Sequence, residues 1–129
     1  MSADTKLFEN VPKKDYLSFF PTGAREPNCE IVVDFLRLKK DEVSKATGVG
    51  VSSVRYDERI PPELRSRLTE WATLLNLVAG YFDGDANKTY LWFTMPNPML
   101  GNVTPRDMIR FGRFRKLLKF VLESLNSQR

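Results

Sequence analysis

Histidine is absent from this chain, and with it go the commonest general base and the commonest ligand of catalytic zinc. Ser-His, Cys-His and His-metal chemistries are excluded. Cysteine is nearly absent: Cys29 stands alone, so no internal disulfide can form and nothing points to an oxidising compartment. It reads as an unreactive thiol. No apolar run reaches the roughly 18 residues of a membrane span, and the start MSADTKLFENVPKKD lacks the basic-then-apolar order of a secretory leader. A cytoplasmic protein without membrane association is expected. Internal repeats and low-complexity tracts are missing as well.

Carboxylates are present but scattered. Asp41 and Glu42 fall at a helix start, Asp57 and Glu58 at an expected helix end, and Asp83 and Asp85 flank Gly84, which suits caps and solvated faces better than a paired acid and base. A calcium loop at Asp83-Gly84-Asp85 would need further oxygen ligands where Ala86 and Lys88 stand. The expectation is a binding protein, neither enzyme nor metalloprotein, with no cofactor.

The chain has 129 residues, 42% of them apolar and 28% charged, with a formal net charge of +4. That is enough for one core and well inside the globular range. Placement of the charge says more than its size. Lys6, Lys13, Lys14 and Arg25 are balanced by Asp4, Glu9, Asp15 and Glu26, whereas Arg106, Arg110, Arg113, Arg115, Lys116 and Lys119 meet only Asp107 before Glu123. A basic helical surface near the C-terminus follows, suited to solvent or a protein partner ahead of DNA.

The pattern predicts an all-α fold in three stretches: an arm over 1–28, a helix-turn-helix-like unit over 29–68, and a C-terminal helical unit over 69–129. The arm carries Pro12, Pro21, Gly23 and Pro27 around Tyr16, Phe19 and Phe20, aromatics that can pin it to the body. Ile31, Val32, Phe35, Leu36 and Leu38 mark a first helix from Cys29. Lys39 to Thr47 reads as a second, stopped by Gly48, and Ser52 to Glu58 as a third. Small Ser44 at the crossing and Val43, Val49 and Val54 between the helices complete a helix-turn-helix pattern. On that pattern Val51, Ser52, Ser53, Arg55 and Tyr56 face a DNA major groove, with Arg59 and Lys39 on phosphate.

Pro61 and Pro62 open a long helix in which Leu64, Leu68, Trp71, Leu75, Val78 and Phe82 alternate at four and three residues. This helix joins the halves. Asp85 caps a further one, rich in Tyr90, Leu91, Trp92 and Phe93, which Pro96 stops. In the loop that follows, Leu100 is expected to insert between helices, and Thr104 and Pro105 start a helix that Gly112 interrupts. A last amphipathic helix buries Phe114, Leu117, Leu118, Val121, Leu122 and Leu125.

From about Trp71 to Leu125 the chain resembles the C-terminal part of the antitoxins called Xre, MbcA and ParS, whose partners are toxins with a RES domain. The resemblance rests on Trp92-Phe93, on Pro96-Asn97-Pro98-x-Leu100-Gly101, on Thr104-Pro105 and on the Gly112 break. It implies an antitoxin that binds a RES-domain toxin, blocks its NAD-degrading or ADP-ribosyl-transferring site, and represses its own operon by binding operator DNA as a homodimer or with the toxin. Asp57 departs from the pattern of such helix-turn-helix motifs, which carry Leu or Trp there. With the resemblance, Arg106, Arg110, Phe111, Arg113, Arg115, Lys116, Lys119 and Arg129 become the expected toxin-binding residues, the last helix and tail lying over the toxin's mouth. A stand-alone helix-turn-helix regulator is the alternative reading, with a small enzyme or an adaptor behind it.

Overall fold

A computed structural model describes residues 14–127. The chain is all-α, with six α-helices, two short 3-10 turns and no strand among the described residues. Helix α1, Cys29–Leu36, starts where the Asn28 side chain accepts from the backbone N–H of Ile31 at 3.3 Å, meeting one of the four donors that a helix start leaves unpaired. Arg37 ends it in the left-handed region, at φ 53. Helix α2, Lys40–Thr47, begins where Glu42 accepts from the Lys39 N–H at 2.9 Å and ends at left-handed Gly48.

Beyond Gly48 the structure departs from expectation. The Ser44 hydroxyl donates to the Val49 carbonyl at 2.6 Å, so the small residue expected at a helix crossing closes the turn instead. The third helix expected over 52–58, however, is not formed. A single 3-10 turn, Val51–Ser53, gives way to an extended Val54. Asp57 explains part of this: its carboxylate accepts from the Arg59 N–H at 3.0 Å and from the Arg55 guanidinium at 2.8 and 2.6 Å, local bonds that compete with helix. Burial explains the rest, because Val54 and Ile60 both reach the core and the chain must open out between them.

Helix α3, Pro62–Tyr81, has 20 residues and runs about 30 Å. Prolines open it as expected, since Pro62 lacks only an N–H that the first turn would leave unpaired. Leu64, Leu68, Trp71, Leu75 and Val78 are buried on it as the spacing predicts. Helix α4, Ala86–Thr94, is capped by Asp85, which accepts from the Lys88 N–H at 3.0 Å. After it, the Asn97 side chain accepts from the Met99 N–H at 2.9 Å and starts the second 3-10 turn, Pro98–Leu100.

Thr104 accepts from the Asp107 N–H at 2.9 Å at the start of helix α5, Pro105–Arg110. Gly112, at φ 76, turns the chain into helix α6, Phe114–Ser127. One buried cluster runs from Phe19 in the arm through Trp71 and Phe93 to Val121 in α6, and the expected boundary between 68 and 69 falls inside α3. Trp71 is core, as expected, while Trp92 is half-buried with its ring edge-on to Phe93 at 5.0 Å.

The described part of the arm is held by aromatic and polar contacts. Phe19 is buried, edge-on to Phe35 at 5.9 Å. Buried Asn76 on α3 donates to Asp15 Oδ1 at 3.0 Å and accepts from the Leu17 N–H at 2.9 Å, while Asp15 accepts from the N–H groups of Phe19 and Phe20 at 2.9 and 2.8 Å. Tyr16 lies against Gly80, where a Cβ would come within 3.0 Å of its ring. No helix among the described residues is long and apolar enough to cross a membrane.

Candidate partner-binding surface

The basic residues predicted as one surface divide into two groups. Arg106 turns inward: its Nε–H donates to the Leu36 carbonyl at 2.6 Å and a terminal N–H to that of Arg37 at 2.9 Å. Those are carbonyls that the end of α1 leaves unpaired, and a cation suits that end of a helix. Glu42 lies 3.9 Å from the same guanidinium. Arg106 is therefore an internal brace between α5 and α1, a correction to its expected exposure. Arg110 is also engaged, with Asp107 at 2.9 Å and Glu42 at 3.5 Å, its guanidinium 4.6 Å from the ring centre of Phe111. Phe111 itself is 54% exposed.

The second group does face solvent. Arg113, just before α6, and Arg115, Lys116 and Lys119 on its first turns are exposed. Among the described residues Lys119 approaches Glu123 at 4.0 Å, with both side chains largely in water, a pair that holds little in place. Arg129 lies outside the described residues, and so does Gln128 in the tail; Asn126 and Ser127 are exposed.

Helix geometry makes this surface more than a charged stripe. Gly112 lets α6 leave α5 at an angle, and the 3-10 turn Pro98–Leu100 comes down beside α6. Between them lies a groove of about 450 Å³ lined by Met99, Leu100, Met108, Phe120 and the cations Arg113, Lys116 and Lys119. Its floor is apolar and one rim is positive. A second hollow, about 390 Å³, lies on the other flank of Arg113 and Lys116, against Trp71 and Ala46.

Sequence reasoning named Phe111 but missed the rest of the apolar half of this surface. Leu100 is half-buried against the core, as an inserted residue should be, but its neighbour Met99 is 77% exposed. Leu91 and Met95, one turn apart on and just past α4, are more than half exposed. The signal was present as two methionines beside prolines that supply no periodicity of their own, flexible apolar side chains of the kind found at adaptable binding surfaces.

Of the residues expected to read DNA, Val51, Ser52 and Ser53 form the 3-10 turn and Arg55, Tyr56 and Arg59 follow it in a loop, none of them on an α-helix. Val51, Ser52, Ser53, Arg55 and Arg59 are exposed. Pairing with Arg55 holds the Asp57 carboxyl below its usual range, and Arg55 is turned to Asp57. Tyr56 is half-buried with its hydroxyl out of solvent, and burial, then the nearby Asp34, raises its pKa.

No curated protein and no solved structure matches the chain. Residues 78–116, from the last turn of α3 to the first turn of α6, match the family model described as the Antitoxin Xre/MbcA/ParS C-terminal toxin-binding domain, which is the family that the Trp92 to Gly112 signature resembles.

Proposed function

We propose that this chain is the antitoxin of a toxin-antitoxin pair, a cytoplasmic protein without catalytic activity of its own. It binds a RES-type toxin through the face formed by α6 and the Pro98–Leu100 turn, and it covers the toxin's NAD-consuming site. One coincidence carries the reading. The stretch 78–116 that matches a toxin-binding domain also contains exposed Met99 and Phe111 and the exposed cations Arg113, Arg115 and Lys116, with Met99, Arg113 and Lys116 lining one groove.

A surface of that kind suits a partner whose site accepts an anionic dinucleotide. Apolar side chains supply area, and the cations supply on-rate and discrimination. Arg106 and Arg110 support the face from within. The alternative, a stand-alone regulator, loses the recognition helix on which it depends, since 51–53 form one 3-10 turn. Repression of its own operon, implied by the resemblance, would need a base-reading element other than an α-helix over 51–59.

The test is co-expression with the product of the adjacent gene, reading co-purification and growth rescue. The proposal expects a stable complex and rescue, and expects Arg113→Glu with Arg115→Glu to weaken both. A chain that binds no RES-type protein from its own locus would defeat it.

A further inference from the structure

The shallow groove between α6 and the Pro98–Leu100 turn joins an apolar lining to a positive edge. Its floor is made of Leu100, buried Met108 and half-buried Phe120, with Met99 standing over it. Along one rim Arg113, just before α6, and Lys116 and Lys119 on it recur every third residue, a span of about 9 Å at helical rise. Only Glu123, past the last of them, carries negative charge in the lining.

We infer that this groove takes a single amphipathic helix of the partner, with apolar anchors three or four residues apart and Asp or Glu flanking them. The inference rests on the antitoxin reading and names the chemistry of the toxin segment that this face grips. An extended strand is disfavoured, because the groove is walled by helix and turn and offers no sheet edge to pair with. A helix meets both demands at once. Its apolar stripe lies on the floor, and carboxylates on its flank lie against a rim of matching repeat.

Charge also fixes direction. The partner's acidic residues oppose 113–119, and a neutral or basic residue opposes Glu123, so a helix inserted the other way sets like charges together. Flexible Met99 lets the groove close over anchors of different shape. The cationic rim makes binding weaken with salt, as exposed charges are screened beyond about 10 Å at 0.1 M.

The probe is a displayed library of randomised helical peptides about four turns long, selected on the full chain, with affinities then read by fluorescence anisotropy. Enriched peptides are expected to carry apolar residues at the stated spacing with flanking Asp or Glu. Lys116→Glu and Met99→Ser, both on exposed positions and so compatible with folding, are expected to weaken them by about tenfold, and Lys116→Arg to preserve them. Absence of enrichment, enrichment without acidic residues, or indifference to Lys116→Glu overturns the inference, as does duplex DNA binding that rim while no peptide does. The two readings separate cleanly. If the toxin co-purifies equally with wild type and with both variants, the antitoxin stands and the groove is not its grip; if peptides bind and no toxin does, the antitoxin reading fails and the groove remains.

Discussion

Across 70 residues of chain, the Nε–H of Arg106 donates to the carbonyl oxygen of Leu36 at 2.6 Å, so a side chain of α5 finishes α1. Arg106→Ala is expected to destabilise the fold by about 2–3 kcal/mol, since hydrogen bonds to a charged group are lost and the carbonyls of Leu36 and Arg37 are left half-covered. Arg106→Lys should restore less than half, because an ammonium cannot span both acceptors as the guanidinium fork does. Urea denaturation measures both, and an unchanged midpoint for the alanine variant would return Arg106 to the partner surface.

Adjacent residues in the second 3-10 turn separate packing from binding. Leu100 is half-buried against the core, so Leu100→Ala should cost about 1–2 kcal/mol, less than a full core truncation. Met99→Ala should change stability by less than about 0.5 kcal/mol while lowering affinity for the partner. Thermal unfolding and a binding titration on the same two proteins check the pair.

Gly112 sits at φ 76, and a Cβ there would meet nothing nearer than the Ala46 carbonyl at 3.8 Å. Space is available, but the left-handed conformation disfavours any residue that carries a β-carbon. Gly112→Ala is expected to cost about 1–2 kcal/mol, and Gly112→Asn less, since Asn tolerates the left-handed region. Equal losses in the two variants would show that crowding and not backbone conformation governs the site.

Cys29 is buried, and that burial raises its thiol pKa against the smaller opposing pull of Arg65. The neutral thiol is the form the fold prefers. Alkylation of the folded chain at neutral pH should be slow until denaturant is added. Because the folded pKa lies above the unfolded one, the contribution to stability is complete below about 8.5 and lost as pH rises through the folded value. Cys29→Ala should therefore flatten the alkaline fall in stability; an identical slope would place the titrating group elsewhere.

The loop 51–59 holds two cations against Asp57 and Glu58 and has no recognition helix. The chain alone is expected to bind its own upstream DNA no more tightly than a scrambled duplex of equal length, with Arg55→Ala without effect on the ratio. Anisotropy at several salt concentrations measures this. A sequence preference abolished by Arg55→Ala would show that the loop reads bases.

Helix α3, with its prolines, its cap-free start and its alternating leucines, was legible because one face repeats along five turns and nothing local competes. Thr104, Asp85 and Gly112 were legible for a different reason: each acts within three or four residues of itself. The missing helix at 52–58 was not, because Val54 and Ile60 must both be buried and only the tertiary arrangement sets how far apart they lie. Arg106 and Asn76 escaped similarly. Their partners, Leu36 and Asp15, are distant in the chain, and an arginine in a basic run looks the same whether it braces or binds. Of the candidate surface, the charged half could be read from composition; its apolar half, at Met99 and Phe120, depends on how a turn lies beside a helix.

Helix α3 begins at Pro62, well before the matched stretch opens at residue 78, and its earlier turns carry Leu64, Leu68 and Trp71 into the shared core. The matched stretch is thus not a cassette. Chimaeras that join it to another head at residue 78 would sever a continuous rod and bare its leucines, whereas exchange at the Pro61-Pro62 junction transfers the rod whole. Recombination between relatives should then leave its scars at that proline pair, and specificity should be inherited together with the helix that precedes it.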